Sequence, residues 1–503
     1  MGRRTVLTGS AVSGTIEFID QTLRDGQQSL WGLRMRAYQA AEALPHIDQT
    51  GFEVVDLTGA GMFTVLLRMF RDDPWASTDF LVKGLPHSVV RAGLRSRSVV
   101  GFGLTPDSIV DLWLATLFKH GVTSFWIYDC LYDMETMRRV VRVVHEMGGT
   151  PVPSIMYGLT GAHDDAFFAE RARQMSTWPG VTSIYVEDAP GVLTPERART
   201  LLPALRQATG NMPLELHCHN TTGLAQHNYI IGLESGFTRL HTASRPMANG
   251  PSLPSTEGMM PILERMGLRH RLNEKLFEPV ARNFAWAAED AGFAPGEMAE
   301  FDPRLYEHQL PGGMTGTLRN QLAGQGMLDR WPQVLEEIKR VRVELGHPIM
   351  ATPFSQLVGI QSVLNVIMPE RYAVVPDEVI QYALGQYGPL VQPIDPVVLD
   401  RIMTAPRTRD FVKWTPPQPT IQEVRSRFPN GITDEELLLR LLTSDREVEA
   451  MLASGPLLTD PRNRTAQILR NLESIVADSG STTSLRIRTP SVSIDLRRAA
   501  VSR

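Results

Sequence analysis

Residues 183–220 read SIYVEDAPGVLTPERARTLLPALRQATGNMPLELHCHN, and this stretch decides the fold. It opens with a β-rich run, 183–188, that ends in the acidic pair Glu187-Asp188. Thr194-Pro195-Glu196 follows as a helix start, with a capping oxygen, a first-turn proline and an acid for the amino-terminal dipole. Residues 195–208 are amphipathic at helical spacing, and a second β-rich run, 213–220, closes the unit. Strand, helix and strand in that order, with short joints, are the unit of a parallel sheet.

The same alternation extends toward the amino terminus. Strand candidates are 15–23, 52–57, 89–94, 124–129, 151–157, 183–188, 213–220 and 239–243, with amphipathic segments such as 134–147 and 165–176 between them. Thr105-Pro106-Asp107 repeats the helix-start pattern. Eight such repeats in about 250 residues match a closed (β/α)₈ TIM barrel, with an open doubly wound sheet as the alternative that shares the alternation. Beyond about residue 270 the strand signal fades. Helical runs at 331–345, 355–367 and 434–452, parted by turns such as Leu310-Pro311-Gly312-Gly313, predict a mostly helical C-terminal domain. The last stretch, from about Asp478, is rich in Ser, Thr and Arg and reads as a flexible tail. The division expected is an N-terminal extension, 1–14, a barrel, 15–268, a helical domain, 269–460, and a linker with tail, 461–503.

Composition narrows the function classes. With 43% hydrophobic and 21% charged residues and a net charge of -5, the chain has neither the basic surplus of a nucleic-acid binder nor the charge that an anionic membrane would attract. It has no apolar run long enough to span a bilayer, and the Arg3-Arg4 pair is not followed by the apolar stretch of a secretory signal. The two cysteines, Cys130 and Cys218, fit no disulfide framework, so a reducing cytoplasm is expected. Lysine is scarce: Lys83, Lys119, Lys275, Lys339 and Lys413 are the whole set.

In a parallel barrel, functional side chains sit at the carboxyl ends of the strands. The seventh run ends in His217-Cys218-His219, so its two imidazoles share a face and Cys218 points the other way, into packing. Both rings can reach one ion at about 2.1 Å, with a carboxylate from another strand completing the site. Nitrogen and carboxylate donors suit Zn²⁺, Mn²⁺ or Co²⁺ better than Mg²⁺. A structural His-x-His pair is the alternative. The element Thr22-Leu23-Arg24-Asp25-Gly26-Gln27-Gln28 at the end of the first strand favours the metal.

Residues 20–30, DQTLRDGQQSL, together with 306–322, YEHQLPGGMTGTLRNQL, and 351–359, ATPFSQLVG, resemble the carboxyltransferase domain of pyruvate carboxylase, transcarboxylase and the oxaloacetate decarboxylase alpha subunit. Residues 94–102 resemble that family's third-strand segment, and HCHNTTGLA, 217–225, is also similar to the isopropylmalate synthase and HMG-CoA lyase branch. The resemblance implies Asp25, His217 and His219 as metal ligands, and Arg24, Gln28 and Arg95 as the catalytic, substrate-binding groups that hold a 2-oxo acid. A cation and arginine forks would stabilise the oxyanion of an enolate formed beside a carboxylate. The resemblance further implies biotin as cofactor, a cytoplasmic enzyme and a homodimer.

Three departures bear on function. The family's carbamylated lysine on the sixth strand is matched by Glu187, within VEDAPGVL, which is expected to ligate the metal directly or through water, or else to orient a neighbour. The family's proton-shuttling threonine after the eighth strand aligns with Pro251, and Ser252, Ser255 or Thr256 can replace it only in a reshaped loop. No lysine sits in the Ala-Met-Lys-Met-like turn that carries biotin, so biotin is expected on a separate carrier protein. The leading expectation is therefore a metal-dependent carboxyltransferase or decarboxylase acting on a 2-oxo acid or similar acyl substrate. The alternatives are a biotin-independent carbon–carbon lyase or aldolase on the same scaffold, and a degenerate scaffold subunit.

Overall fold

A computed structural model describes residues 14–99, 103–459, 484–488 and 493–497. Eight parallel strands follow one another around a ring: β1 (Thr15–Asp20), β2 (Val54–Thr58), β3 (Val90–Arg95), β4 (Ser124–Tyr128), β5 (Thr150–Met156), β6 (Ile184–Asp188), β7 (Leu214–Cys218) and β8 (Arg239–Thr242). Each pairs with the next, and β1 pairs with both β8 and β2, placing Ile19 opposite Val54 and Asp20 opposite Val55. That last pairing closes the sheet, so the barrel holds and the open doubly wound alternative falls. A two-residue strand, β9 (Arg269–His270), adds to the outer start of β1.

Each strand candidate overlaps an observed strand. The first strand is shorter than its β-rich run: β1 stops at Asp20 because Thr22–Gly26 winds into a single π-helical turn, with the Gly26 amide donating to the Gln21 carbonyl at 2.9 Å. Such turns bulge the chain outward and recur at functional sites. Only glycine fits at Gly26, since a side-chain carbon there would lie 2.8 Å from the Met247 carbonyl oxygen.

Helices alternate with the strands as the sequence indicates, among them Met134–Glu146, Asp165–Met175 and Pro195–Thr209. Thr194 caps the last of these by accepting from the Arg197 amide. Thr105 does not act in the same way. The helix Asp107–Lys119 has Pro106 at its cap position, and Gln418 of the C-terminal region accepts from the Asp107 amide instead. That region is mostly helical, with Trp331–Glu344 and Phe354–Ile367 as expected, and with a helix Gly312–Gly324 that takes in the last two residues of the expected Leu310–Gly313 turn. The run 434–452 is two helices, Asp434–Leu442 and Asp445–Ala453. The break comes at Ser444, whose hydroxyl and the Glu447 carboxylate satisfy each other's backbone amides in a capping box that starts a new helix.

Within 461–503, β10 (Ser484–Arg488) pairs antiparallel with β11 (Ser493–Arg497). The rest of the expected tail and linker, and the extension before Gly14, lie outside the described residues. Among the described residues no helix is long and apolar enough to cross a membrane.

The inside of the barrel is polar at its floor. Arg91 on β3 grips Glu215 on β7 with both terminal nitrogens, at 2.6 and 3.2 Å. Ser183 at 2.6 Å, His241 Nε2 at 3.0 Å and Arg239 at 3.3 Å complete the shell around the same carboxylate. Burial would raise Glu215, yet Arg91 and His241 hold it well below the usual carboxylate range. Higher up, Trp126 on β4 stacks between Tyr128 and Tyr185, with ring centroids 4.9 and 5.0 Å away. The indole lies over Gly93 of β3, where a side-chain carbon would come within 2.5 Å of it. Gly93→Ala should therefore displace Trp126 and destabilise the fold by about 1–3 kcal/mol. A lowered urea midpoint with altered tryptophan fluorescence is the expected result, and an unchanged midpoint would contradict this packing.

Candidate metal centre

The carboxyl ends of β1, β6 and β7 meet at one side of the barrel mouth. Parallel pairing sets Glu187 on β6 beside His217 on β7, and the π-turn after β1 swings Asp25 inward to face them. One donor atom each from Asp25, His217 and His219 lies within 4.8 Å of the others, and all three residues are buried. The Nε2 atoms of the two imidazoles are 3.1 Å apart and stand 3.4 and 3.6 Å from Asp25 Oδ2. Strand periodicity pairs the histidines. The folded chain brings the aspartate to them.

Backbone chemistry fixes one imidazole. His219 Nδ1 lies 2.6 Å from the Pro251 carbonyl oxygen, which only accepts, so Nδ1 carries the proton and the Nε2 lone pair is left for a cation. The residues present thus fit a divalent metal: two imidazole nitrogens and a carboxylate, buried and facing each other.

Electrostatics agrees. Burial alone would raise Asp25, but the Arg24 guanidinium 2.7 Å away and the His219 ring hold it well below the carboxylate range. Burial likewise would lower His219, yet Asp25 and the Pro251 carbonyl hold it up at about 9. Burial pushes Glu187 up to about 7, with Arg24 pulling it down and Asp25 adding to the rise. A folded imidazole that keeps its proton to about pH 9 stabilises the metal-free fold below the ordinary histidine value. That contribution is lost as pH rises toward 9, and Glu187 acts in the same direction up to about pH 7. Chelator-treated wild type should accordingly lose more melting temperature between pH 6.5 and pH 9 than chelator-treated His219→Ala, in which the buried histidines held near pH 4, His163, His241 and His308, act unopposed by His219. Zinc should flatten the dependence, since a cation occupies the nitrogen that would take the proton. The same change in melting temperature for wild type and His219→Ala between those pH values would contradict the coupling.

The other expected residues are placed less uniformly. Arg24 sits against the cluster, 5.0 Å above the Trp126 ring, with NH2 3.5 Å from Asp56. Its Nε and NH2 are buried without a hydrogen-bond partner, leaving a guanidinium edge for an anionic ligand. Glu187 is not part of the three-residue group, and its Oε2 is buried without a partner. Arg95, at the end of β3, lines a small cavity with Tyr128, Asp129 and Cys130, closed by Thr352, Phe354 and Tyr387 from the C-terminal region. Gln28 is exposed on the short helix after the π-turn. Its neighbour Gln27 is buried and braces that turn by donating to the Leu23 carbonyl. Cys218 is buried in the main core, away from the imidazoles.

The hydroxyls that flank Pro251 are committed elsewhere. Ser252 donates to the Met247 carbonyl, Ser255 caps the helix Thr256–Met266, and Thr256 pairs with Thr242. The loop is not reshaped to offer any of them to the site.

Sequence reasoning missed Tyr185, Trp126, His241 and Glu215, which line the barrel beneath the three-donor cluster. The signal was period two: Tyr185 shares a face with Glu187, and Glu215 with His217.

Comparison with known proteins bears on this geometry. A family model described as a conserved carboxylase domain matches residues 305–444, and one described as HMGL-like matches residues 128–273. A pyruvate carboxylase subunit of Methanocaldococcus jannaschii is 32% identical over 389 residues, 77% of this chain and 68% of that protein. The 2-oxoglutarate carboxylase large subunit of Hydrogenobacter thermophilus is 29% identical, covering 84% of this chain and 66% of that one. The chain therefore spans about two thirds of the length of those relatives. For the methylmalonyl-CoA carboxyltransferase 5S subunit of Propionibacterium freudenreichii subsp. shermanii the identity is 28%, over 83% of each chain. Among solved structures, the carboxyl transferase domain of Rhizobium etli pyruvate carboxylase with pyruvate and biocytin superposes with a TM-score of 0.77 at 21% identity, covering 98% of this chain and 86% of that one. The last likeness shows the barrel and its helical extension, and the sequence matches do more: by them, this chain belongs to the carboxyltransferase family of the pyruvate carboxylases.

Proposed function

We propose that this chain catalyses carboxyl transfer between biotin, carried on a separate protein, and a 2-oxo acid, at a divalent metal held by Asp25, His217 and His219. The observation that carries the reading is the buried three-donor cluster with the Arg24 guanidinium against it. Among the described residues this is the group of histidine, cysteine and acidic side chains spaced for an ion. When bound, a divalent cation there supplies positive charge for the ketone oxygen of a 2-oxo acid. Nitrogen and carboxylate donors favour Zn²⁺, Mn²⁺ or Co²⁺ in that role.

The chain's own groups do the rest. Arg24, held by Asp25 and by the Trp126 face, offers its open edge to the oxygens of the substrate. Arg95 and Gln28 belong to the same reading as groups that fix the acid, Arg95 from the cavity beneath the C-terminal region and Gln28 from the exposed rim. Glu187 is proposed as a fourth ligand or as the acid that orients the site, consistent with its position beside His217. The barrel and helical domain divided near residue 268, a homodimer, a cytoplasmic setting and a biotinyl carrier as partner complete the proposal. The relatives named for pyruvate and 2-oxoglutarate suggest those acids as first substrates. The degenerate-scaffold reading gains nothing here, because the ligand cluster is intact and buried.

The test is transfer of labelled carboxylate from a biotinylated carrier to pyruvate, to 2-oxoglutarate and to related acids, in the presence of Mn²⁺. Transfer that requires both carrier and metal is expected. No transfer to any acid, or turnover unaffected by the carrier, would overturn the reading.

A further inference from the structure

We propose that Tyr185 is a positioning residue for the metal centre: its hydroxyl oxygen accepts a hydrogen bond from the Nδ1–H of His217 and so turns the Nε2 lone pair of that ring toward the cation. The inference rests on the metal reading above and assigns a device that sets the second imidazole.

His217 Nδ1 has two polar neighbours, the Tyr185 hydroxyl at 2.7 Å and His241 Nδ1 at 3.3 Å. His241 is already spoken for. Gln21 Nε2 lies 3.0 Å from Asp56 Oδ2, and a carboxylate only accepts, so that atom of Gln21 is the amide nitrogen. The same nitrogen lies 2.8 Å from His241 Nδ1, which must therefore accept. His241 consequently carries its proton on Nε2 and donates it to Glu215 Oε2 at 3.0 Å. With its lone pair engaged, and at a separation beyond the usual 2.7–3.2 Å range, His241 Nδ1 does not compete for the His217 proton. Tyr185 remains.

The tyrosine is well held for this work. It is fully buried and stacks on Trp126 at 5.0 Å, so its ring has little freedom. It stands two residues before Glu187 on β6, so the two side chains share the inner face of the barrel. The two ligand imidazoles are set by different devices: His219 by a backbone carbonyl, which no substitution removes, and His217 by a side chain, which one substitution does.

The test uses the full chain and a readout independent of turnover. Affinity for Co²⁺ and Zn²⁺, measured by chelator competition, should fall about 10–100-fold in Tyr185→Phe, with a changed cobalt visible spectrum. Binding within about threefold of wild type with the same spectrum would overturn the proposal. Nitrogen-15 spectra of histidine-labelled, zinc-loaded wild type give a second measurement that needs no variant to fold. His217 is expected protonated at Nδ1 and bound through Nε2, and the opposite tautomer would overturn the assignment. Wild-type protein that binds neither metal would instead sink the metal reading itself, so the two failures are distinct.

Discussion

Exchanging His219 for alanine should leave a folded protein that retains no tightly bound metal and has lost carboxyl transfer by a factor on the order of 10³ or more. The size follows from what the ring does. It supplies one of three donor atoms in the cluster, with its lone pair aimed by the Pro251 carbonyl, and two donors do not hold a divalent ion firmly. The fold should survive because Asp25 keeps its 2.7 Å partner in Arg24, so no carboxylate is left buried and alone. Metal content after dialysis, far-ultraviolet circular dichroism and the transfer assay measure the three parts. Full metal occupancy with activity within about tenfold of wild type would refute the role given to His219.

Glu215→Ala should be the most destabilising single change in the barrel interior, lowering unfolding free energy by about 3–5 kcal/mol. Arg91 and Glu215 are both buried, and the arginine spends two hydrogen bonds on that one carboxylate. Removing the acid strands the guanidinium and deprives His241 and Ser183 of their acceptor. The double variant Glu215→Ala, Arg91→Met should recover much of the loss, since deleting both charges removes the stranded one. Urea unfolding of the two singles and the double gives the coupling. A single variant within about 1 kcal/mol of wild type would show that water, not Glu215, satisfies Arg91.

The fold was legible because its signal is local. β-rich runs, the cap at Thr194 and the amphipathic turns between strands depend on near neighbours, and the order of the eight strands followed. Closure was not legible, since the contact of Ile19 with Val54 joins strands whose pairing no local pattern states. The break at Ser444 was legible and overlooked, because Ser444-Asp445-Arg446-Glu447 is itself a helix-start signature. At the site, His217 and His219 declared themselves by spacing, and Asp25 and Arg24 by the segment that resembled a known family. Tyr185 and His241 carried no such mark. Their roles arise from which ring nitrogen meets which acceptor across the barrel, and that depends on the register of three strands rather than on any one segment. Gln28 illustrates the reverse case: the sequence offers two adjacent glutamines, and only the π-turn decides that Gln27 is buried while Gln28 is exposed.

The close approach of the C-terminal region to Pro251 has an architectural consequence. A side-chain carbon added at Gly312 would fall 2.2 Å from the Pro251 ring, so the start of the helix Gly312–Gly324 is wedged against the very loop whose carbonyl aims His219. A barrel excised near residue 268 would keep all three donors in its sequence while forfeiting the buttress that seats one of them. On the proposed reading, metal affinity would belong to the undivided polypeptide, and grafting the barrel by itself into another assembly would transplant the three donors without their alignment.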